Sequence, residues 1–420
     1  MRIMFFTHYF PPEGNAPANR VYELCKRWVK NGDEVHVITG VPNVPLGVVY
    51  DGYRNRFVQT EVIDGIKTTR VWTFIAANKG TTRRILNYLS YMFSSSLAGL
   101  LTRKPDIIIA TSPQFFCGWA GVFTSRLRRV PFILEVRDLW PDSIAAVGAM
   151  RNGSLLRFLK WLEGKMYAAA HEIVTVGEGY EEELIRKDVQ AAKISIIPNG
   201  VDREVFYPRY AEEKIRAECG LKNEFVCSYV GTIGMASGLD VVLKAAKLLK
   251  DRQRRDIKFL LVGAGAVADE LEQQAQGQHL DNVVFLGRRD RRFIPGLLSI
   301  SDACLVHLKK ARIFETVLPS KIFEAAAMAK PIILGVEGHA VDLVQKANAG
   351  ICIEPENAEQ LFTAVVKLAE DPELCRSLGR SGHEYIVKHY DRDSIARDYH
   401  SVIIRTCSQS GSYHEEAVRV

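Results

Sequence analysis

Short β-branched runs alternate along this chain with longer helical stretches, the signature of a parallel sheet covered by helices. In the first half the runs are Arg2–Thr7, Glu34–Thr39, Asp106–Thr111, Pro131–Glu135, His171–Val176 and Ile194–Ile197. In the second half they are Phe225–Val230, Lys258–Val262, Val283–Leu286, Ala303–Val306, Pro331–Leu334 and Gly350–Ile353. Two doubly wound α/β sheets are therefore expected. The least periodic stretch lies between Pro198 and Lys222 and contains Pro198-Asn-Gly200 and Tyr207-Pro208. It divides the chain into a domain of residues 1–207 and one of residues 208–390. Ligands of open sheets gather at the carboxyl ends of the strands, so a cleft between two facing domains is the expected site.

Two helical stretches stand apart. Ile85–Leu101 is largely apolar and flanked by Arg83, Arg84, Arg103 and Lys104. It contains Asn87, Ser90 and Ser94 to Ser96 and is short for the ~30 Å of a bilayer's hydrocarbon. It reads as a buried crossover helix, or as one whose aromatic face of Tyr88, Tyr91 and Phe93 rests on a bilayer. Asn152–Tyr167 is similar, combining Leu155, Phe158, Leu159, Trp161 and Leu162 with Arg157, Lys160 and Lys165. Charge bears on both. The net charge of +6 sits in the first 200 residues, which carry 25 lysines and arginines against 18 aspartates and glutamates, whereas the remainder carries 30 against 31. That surplus fits an anionic partner or a solvated face; no nucleic-acid recognition motif accompanies it.

Composition, at 47% hydrophobic and 25% charged, is that of a globular protein and excludes a disordered or fibrous chain. The eight cysteines are placed singly, without a CxxC pair or histidines at metal-ligand spacing, so reduced core thiols of a cytoplasmic protein are expected, with no metal. The apolar stretch Ile3–Phe6 is cut off by His8, Pro11, Pro12 and Glu13, unlike a secretory leader.

Several strand ends carry candidate chemistry. The first strand leads through Phe10–Arg20, which contains Glu13, Gly14, Asn15 and Asn19, into a helix with Val21, Leu24, Cys25 and Trp28. Such a loop either presents backbone N–H groups to a phosphate or is a plain turn. Glu135-Val-Arg-Asp-Leu-Trp-Pro-Asp142 places three carboxylates, the Arg137 guanidinium and an indole at a strand's carboxyl end. These groups are costly to bury and point to a site, or to a structural Asp–Arg pair. Tyr229-Val-Gly-Thr-Ile-Gly234 and Phe259-Leu-Leu-Val-Gly-Ala-Gly265 repeat a strand-to-glycine-loop grammar suited to phosphate oxygens. Pro319 and Ser320 suit a helix start, with Lys321 beside the free N–H groups and Glu324 about one turn inside. Together they suit a diphosphate and the two hydroxyls of a ribose.

Over nearly the whole chain the sequence resembles the retaining family-4 glycosyltransferases of the two-Rossmann (GT-B) architecture, and five segments, in order, carry the resemblance. They are Ile196-Ile-Pro-Asn-Gly-Val-Asp-Arg-Glu-Val-Phe206, the Gly231 loop, Val262-Gly-Ala-Gly265, Phe285-Leu-Gly287 and Pro319-Ser-Lys-Ile-Phe-Glu-Ala-Ala-Ala-Met-Ala-Lys-Pro331. Asp138-Leu-Trp-Pro-Asp142 with Pro319-Ser-Lys321 is similar to a bacterial branch that assembles O-antigen, lipopolysaccharide, capsule and exopolysaccharide, including N-acetylfucosamine transferases. The resemblance implies a nucleotide-sugar donor, usually UDP-linked, and an acceptor saccharide on undecaprenyl diphosphate. It also implies a terminal helix, within Asp391–Arg405, that crosses back onto the first domain. A peripheral position on the inner face of the plasma membrane, against anionic lipid, would suit such an acceptor.

Carried over by position, the donor site is Gly14, Asn15, Gly231, Thr232, Gly234, Gly263, Gly287, Arg288, Pro319, Ser320, Lys321 and Glu324. Glu13, Asn19, Arg20, Glu135 and Arg137 fall on the acceptor side, and Asp138, Lys321 and Glu324 are the expected catalytic residues. Two departures stand out. The first of the family's two spaced glutamates falls on Thr316, with Glu315 one place off, and the arginine and lysine common after the first strand of the second domain are replaced by Thr232 and Ser237. Lys321, the Pro319–Lys321 segment and Arg288 are then left to hold the diphosphate, without a metal. Two other readings share the architecture: a nucleotide-sugar 2-epimerase, and a non-catalytic partner subunit.

Overall fold

The computed structural model describes residues 1–44, 47–75, 81–112, 114–142 and 153–411. The chain forms two compact units, Met1–Pro198 with Asp393–Val420, and Asn199–Arg392. The division falls after Pro198 rather than after Tyr207, because Val201 and Phe206 are buried in the second unit's core with Ile322, Phe323 and Met328. Val201 accepts from the Arg392 amide and donates to the Tyr390 carbonyl, so the second unit begins and ends at one place.

In the first unit β1 (Arg2–Phe6), β2 (Glu34–Gly40), β3 (Val58–Ile63), β4 (Ile66–Val71), β5 (Ile107–Thr111), β6 (Phe132–Val136), β7 (Glu172–Thr175) and β8 (Ile194–Ile196) form one sheet. Its order is β3-β4-β2-β1-β5-β6-β7-β8. All neighbours run parallel except β3 and β4, a hairpin in which Ile63 faces Ile66. The hydrophobic pattern did not announce this hairpin, since alternate residues of its edge strand β3 are exposed. Its local signal is Asp64-Gly65, both at positive φ, the turn that joins two antiparallel strands with two residues.

Helices Thr81–Leu101, Phe115–Arg128 and Gly153–Ala169 cover one face of this sheet through Tyr91, Phe115, Ala120, Leu159 and Met166. Tyr91 lies wholly inside, its hydroxyl donating to the carbonyls of Thr7 and Ile38. The aromatic face anticipated for this helix is therefore divided: Tyr91 is core, while Phe93 is exposed. In Asn152–Tyr167 the helix is seen from Gly153 onward, and Asn152 lies outside the described residues. The opposite face of the sheet is covered by helices Ala16–Lys30 and Arg392–Gln409, which interlock through Trp28 and Tyr399. Their rings meet edge to face with centroids 5.3 Å apart, and the Trp28 indole N–H donates to the Ala396 carbonyl at 3.0 Å.

The second unit holds β9 (Phe225–Val230), β10 (Ile257–Val262), β11 (Val283–Gly287), β12 (Ala303–His307), β13 (Ile332–Gly335) and β14 (Gly350–Cys352). They form an all-parallel sheet in the order β11-β10-β9-β12-β13-β14. Helices Asp240–Asp251 and Ala358–Glu370 cover one face, and Ser320–Ala327 with Pro372–His389 the other. Strand order reverses between β1 and β5 in the first unit and between β9 and β12 in the second. Loops part to opposite sides at such points, leaving room for a ligand at the strands' carboxyl ends.

The Trp28–Tyr399 contact predicts a contrast. Tyr399→Ala should cost about 3–5 kcal/mol in urea unfolding of the first unit. Its hydroxyl finds no partner among the described residues, so Tyr399→Phe should leave stability unchanged or higher.

Candidate active site

In the second unit the candidate residues converge on the end of β9. Helix Ser320–Ala327 begins with Pro319 at its cap and no side-chain cap bond, as the Pro-Ser pair implied. From its first turn Lys321 reaches over the end of β9, with its ammonium 4.6 Å from the Tyr229 ring centroid. A Cβ at Gly231 would lie 2.1 Å from the Lys321 Cε, and Gly231 has φ +152°, so only glycine fits beneath that chain. Tyr229 is buried below and donates through its hydroxyl to the Thr232 carbonyl at 2.8 Å, setting the start of the loop. Glu324, one turn along the helix, lines a small cavity with Lys321, Ser228, Val230 and Val306. The helix thus brings the proposed phosphate and ribose ligands together beside β9 and β12.

The other glycines divide by role. A Cβ on Gly263 would lie 1.8 Å from the Gly231 carbonyl oxygen, so Gly263 lets the loops after β9 and β10 cross. The Ile233 amide donates to Ala264, and the Gly263 amide to Gly287, which locks three successive strand ends together. Gly287 is open and exposed, with exposed Arg288 next to it at the end of β11. Two strand spacings, roughly 10 Å, separate the end of β11 from that of β9. Thr232 is exposed, whereas Ser237 is buried with its hydroxyl donating to the Gly234 carbonyl. Thr316 spends its hydroxyl on Ile313, and exposed Glu315 binds the His339 amide through its carbonyl.

His307, which the sequence reading passed over, organises this edge. The Glu356 amide donates to its Nε2 at 2.8 Å, so the proton sits on Nδ1, which donates to the Ser237 carbonyl at 2.7 Å. Burial lowers its pKa against the pull of the Ser237 bond, favouring the neutral ring that this pattern requires. The signal was available: a lone histidine ending an apolar run at a strand's carboxyl end.

In the first unit the structure corrects several roles. Glu135 is wholly buried, with Oε1 taking the Arg20 Nε at 2.9 Å and Oε2 3.6 Å from Arg137. Burial pushes the Glu135 carboxyl up, but Arg20 and Arg137 outweigh it and hold it below the usual carboxylate range. Arg20 also donates to the carbonyls of Ile197 and Pro198, and Arg137 to that of Ser112. These three residues, expected on the acceptor side, are internal ties: a charge this deep is tolerated only when paired and hydrogen-bonded. Asn15 is likewise spent, capping helix Ala16–Lys30 by accepting from the Ala18 amide, while Asn19 donates to the Gly14 carbonyl. Glu13 is buried, accepting from the amides of Asn43 and Val44 at 3.1 Å each, and braces the loop after β2.

Gly14 and Asp138 lie outside these ties. Gly14 is exposed, with nothing within 4 Å of where a Cβ would stand. Asp138 lines a small cavity with Ser112, Gln114, Trp140 and Tyr167. In the same segment Trp140 packs on Phe115, and Asp142 pairs with Lys160 and Lys187 at 2.7 Å each. His8, another residue missed in the sequence, stands at the end of β1 between the rings of Tyr9, Tyr88 and Tyr91. Burial holds its pKa down to about 4 against the upward pull of the Asn87 side chain.

Comparison with known proteins covers both units. Residues 15–200 match the family model "Glycosyl transferase 4-like domain" and residues 211–385 match "Glycosyl transferases group 1". The putative colanic acid biosynthesis glycosyl transferase WcaI of Escherichia coli K12 is 25% identical over 95% of this chain and 98% of its own. An Escherichia coli UDP-Gal:alpha-D-GlcNAc-diphosphoundecaprenol alpha-1,3-galactosyltransferase is 27% identical over 71% of this chain and 76% of its own. Among solved structures, a sucrose-phosphate synthase from Thermosynechococcus elongatus superposes with TM-score 0.78 at 19% identity, covering 97% of this chain and 99% of that one. HepE of Anabaena, solved with UDP-glucose, superposes with TM-score 0.73 at 16% identity, covering 96% of this chain and 100% of that one.

Glu13 sets a pH dependence. Burial raises its pKa to about 7, against the pull of the Asn43 and Val44 amides, so the folded state holds a proton that the unfolded state releases near pH 4.5. Its contribution is fully present below that pH and is lost as pH rises through about 7. His8 and His36, both held near 4, act in the opposite sense. The difference between wild type and Glu13→Gln isolates the carboxyl: urea unfolding should show the variant gaining roughly 2–3 kcal/mol on wild type between pH 5 and pH 8.

Proposed function

The chain belongs to the glycosyltransferases of the GT-B type, and on that premise we propose that it moves a sugar, with retention, from a UDP-sugar to a lipid-diphosphate-linked saccharide in bacterial surface polysaccharide synthesis. The observation that carries this reading is Lys321 lying over Gly231 at the uncapped start of a helix, with Glu324 one turn behind it in the same cavity wall. An ammonium and a helix N-terminus attract a diphosphate, and a carboxylate one turn further on suits the hydroxyls of a ribose. The relatives point the same way for donor and acceptor: one is named for a UDP-sugar and a diphosphoundecaprenol-linked acceptor. An N-acetylated amino sugar is the transferred group that the resemblance of the Asp138–Asp142 segment favours.

In this mechanism the base lies against Gly287 and Arg288, Glu324 holds the ribose and Lys321 the diphosphate. The bond from the anomeric carbon to the diphosphate oxygen breaks with its electron pair leaving on oxygen, where Lys321 and the helix end stabilise the growing charge. The acceptor hydroxyl forms its bond on the face the diphosphate leaves, and its proton passes to a departing phosphate oxygen. Configuration is retained without an enzymic base. Asp138, at the cavity of the first unit, is assigned to positioning a sugar hydroxyl. The helix end and Lys321 supply the positive charge, so the reaction is proposed to run without a metal.

One observation favours a non-catalytic relative: Ser237, at a position where cations are common in the family, is turned inward onto Gly234. The two readings separate in one assay. UDP-, GDP- and TDP-sugars are offered with a lipid-diphosphate-linked acceptor, in EDTA. Acceptor-dependent product is expected with a UDP-sugar, and Glu324→Ala should lower kcat/KM at least about tenfold. Unchanged turnover in that variant would remove Glu324 from the site. Product from no donor would favour the non-catalytic reading, and free epimerised sugar without acceptor would favour an epimerase.

A further inference from the structure

The helical face of the first unit carries an apolar surface that neither the core nor the candidate site uses. On helix Thr81–Leu101, Leu86, Phe93, Leu97 and Leu101 are exposed, Phe93 to 68% and Leu101 to 76%. Their spacing of seven, four and four residues aligns them as one stripe. The adjoining helix Phe115–Arg128 exposes Phe123 and Leu127, and Gly153–Ala169 exposes Phe158 with Trp161 at 57%. The three helices pack side by side. Arg128 donates to the carbonyls of Leu100 and Thr102, closing the end of the first helix, and a Cβ at Gly118 would strike the Met166 sulfur at 2.3 Å.

Charge identifies what fits there. The three helices contain one carboxylate, Glu163, which is buried and paired with Lys187. Exposed around the stripe are Arg83, Arg103, Lys104, Arg126, Arg157 and Lys165. Lys165 lies 5.8 Å from the Trp161 ring centroid, the pairing of cation and indole found at headgroup level. Among the described residues no helix is long and apolar enough to cross a membrane. Glu34, at the start of β2, pairs with Arg103 at 3.7 Å, but the three helices themselves expose no acid, and their aromatic and aliphatic side chains ringed by cations match a layer that is apolar inside and negative at its rim.

We infer that this three-helix face docks on an anionic lipid bilayer, with Phe93, Leu101, Phe158 and Trp161 entering the headgroup boundary and the arginines and lysines meeting lipid phosphates. It deepens the proposed lipid-linked acceptor by naming the surface on which such an acceptor is met. Vesicle binding needs no donor or acceptor, so its failure and the failure of the transferase reading are distinguishable.

The test is flotation of the full chain with vesicles of phosphatidylethanolamine containing roughly a quarter phosphatidylglycerol, beside vesicles of phosphatidylcholine alone. Binding to the first and not the second is expected, and it should be lost in half-molar salt. Two variants separate the contributions. Phe93→Ser/Phe158→Ser/Trp161→Ser alters only exposed side chains, and Arg83→Glu/Arg126→Glu/Arg157→Glu reverses the rim; each should weaken binding at least about tenfold with an unchanged circular dichroism spectrum. Equal binding to both vesicles, or undiminished binding by both variants, would overturn the inference. So would a concentration-dependent dimer that the triple serine variant abolishes, since the face would then belong to a second copy.

Discussion

Lys321 can lie across the end of β9 only because position 231 carries no side chain, and Gly231 can hold its place only because Gly263 lets the next loop pass against its carbonyl. The loops after β9, β10 and β11 are bound to one another amide to carbonyl, and His307 ties the following strand to the same edge through Ser237. A cation, an uncapped helix end and a carboxylate are thereby fixed relative to one another before any ligand arrives. Preorganisation of this kind is what electrostatic catalysis requires, because charges that need not move cost nothing to align during the reaction.

The first unit uses charge differently. Its most buried carboxylate, Glu135, joins Arg20 and Arg137, and Arg20 reaches the carbonyls with which this part of the chain ends. Removing Glu135 would leave two guanidiniums facing each other without a counter-charge in a medium that cannot solvate them, at a cost of several kcal/mol. The cluster therefore fixes where β6, the first helix and residues Ile197 and Pro198 meet. Asp138, the residue proposed to position a sugar hydroxyl, follows Arg137 directly in the chain and lines a cavity beside this frame.

What could be read in the sequence follows from how local the signal is. All twelve strands inferred from apolar runs are present; most are parallel strands buried on both faces, which must be apolar throughout, while the edge strands β8, β11 and β14 are partly buried. The hairpin of β3 and β4 escaped because its edge strand is half solvent-facing, and its mark is the Asp64-Gly65 turn rather than a run. Pro319-Ser320 marked its helix start correctly, since helix caps are written in adjacent residues. The roles of Arg20, Glu135 and Arg137 were not legible: whether a carboxylate at a strand end meets a ligand or an arginine 115 positions away in sequence depends on tertiary contact alone. The same holds for Gly263, whose reason is a carbonyl from another loop, and for the separation of Tyr91 from Phe93 on one helix.

Lys321, over Gly231, is the cation proposed to hold a nucleoside diphosphate. Calorimetric titration of UDP into wild type and Lys321→Met tests it most directly. A single site is expected in the wild type and an affinity at least about tenfold weaker in the variant, the loss that follows when one charge-assisted contact is removed. Equal affinity in the two proteins would contradict it and place the diphosphate elsewhere.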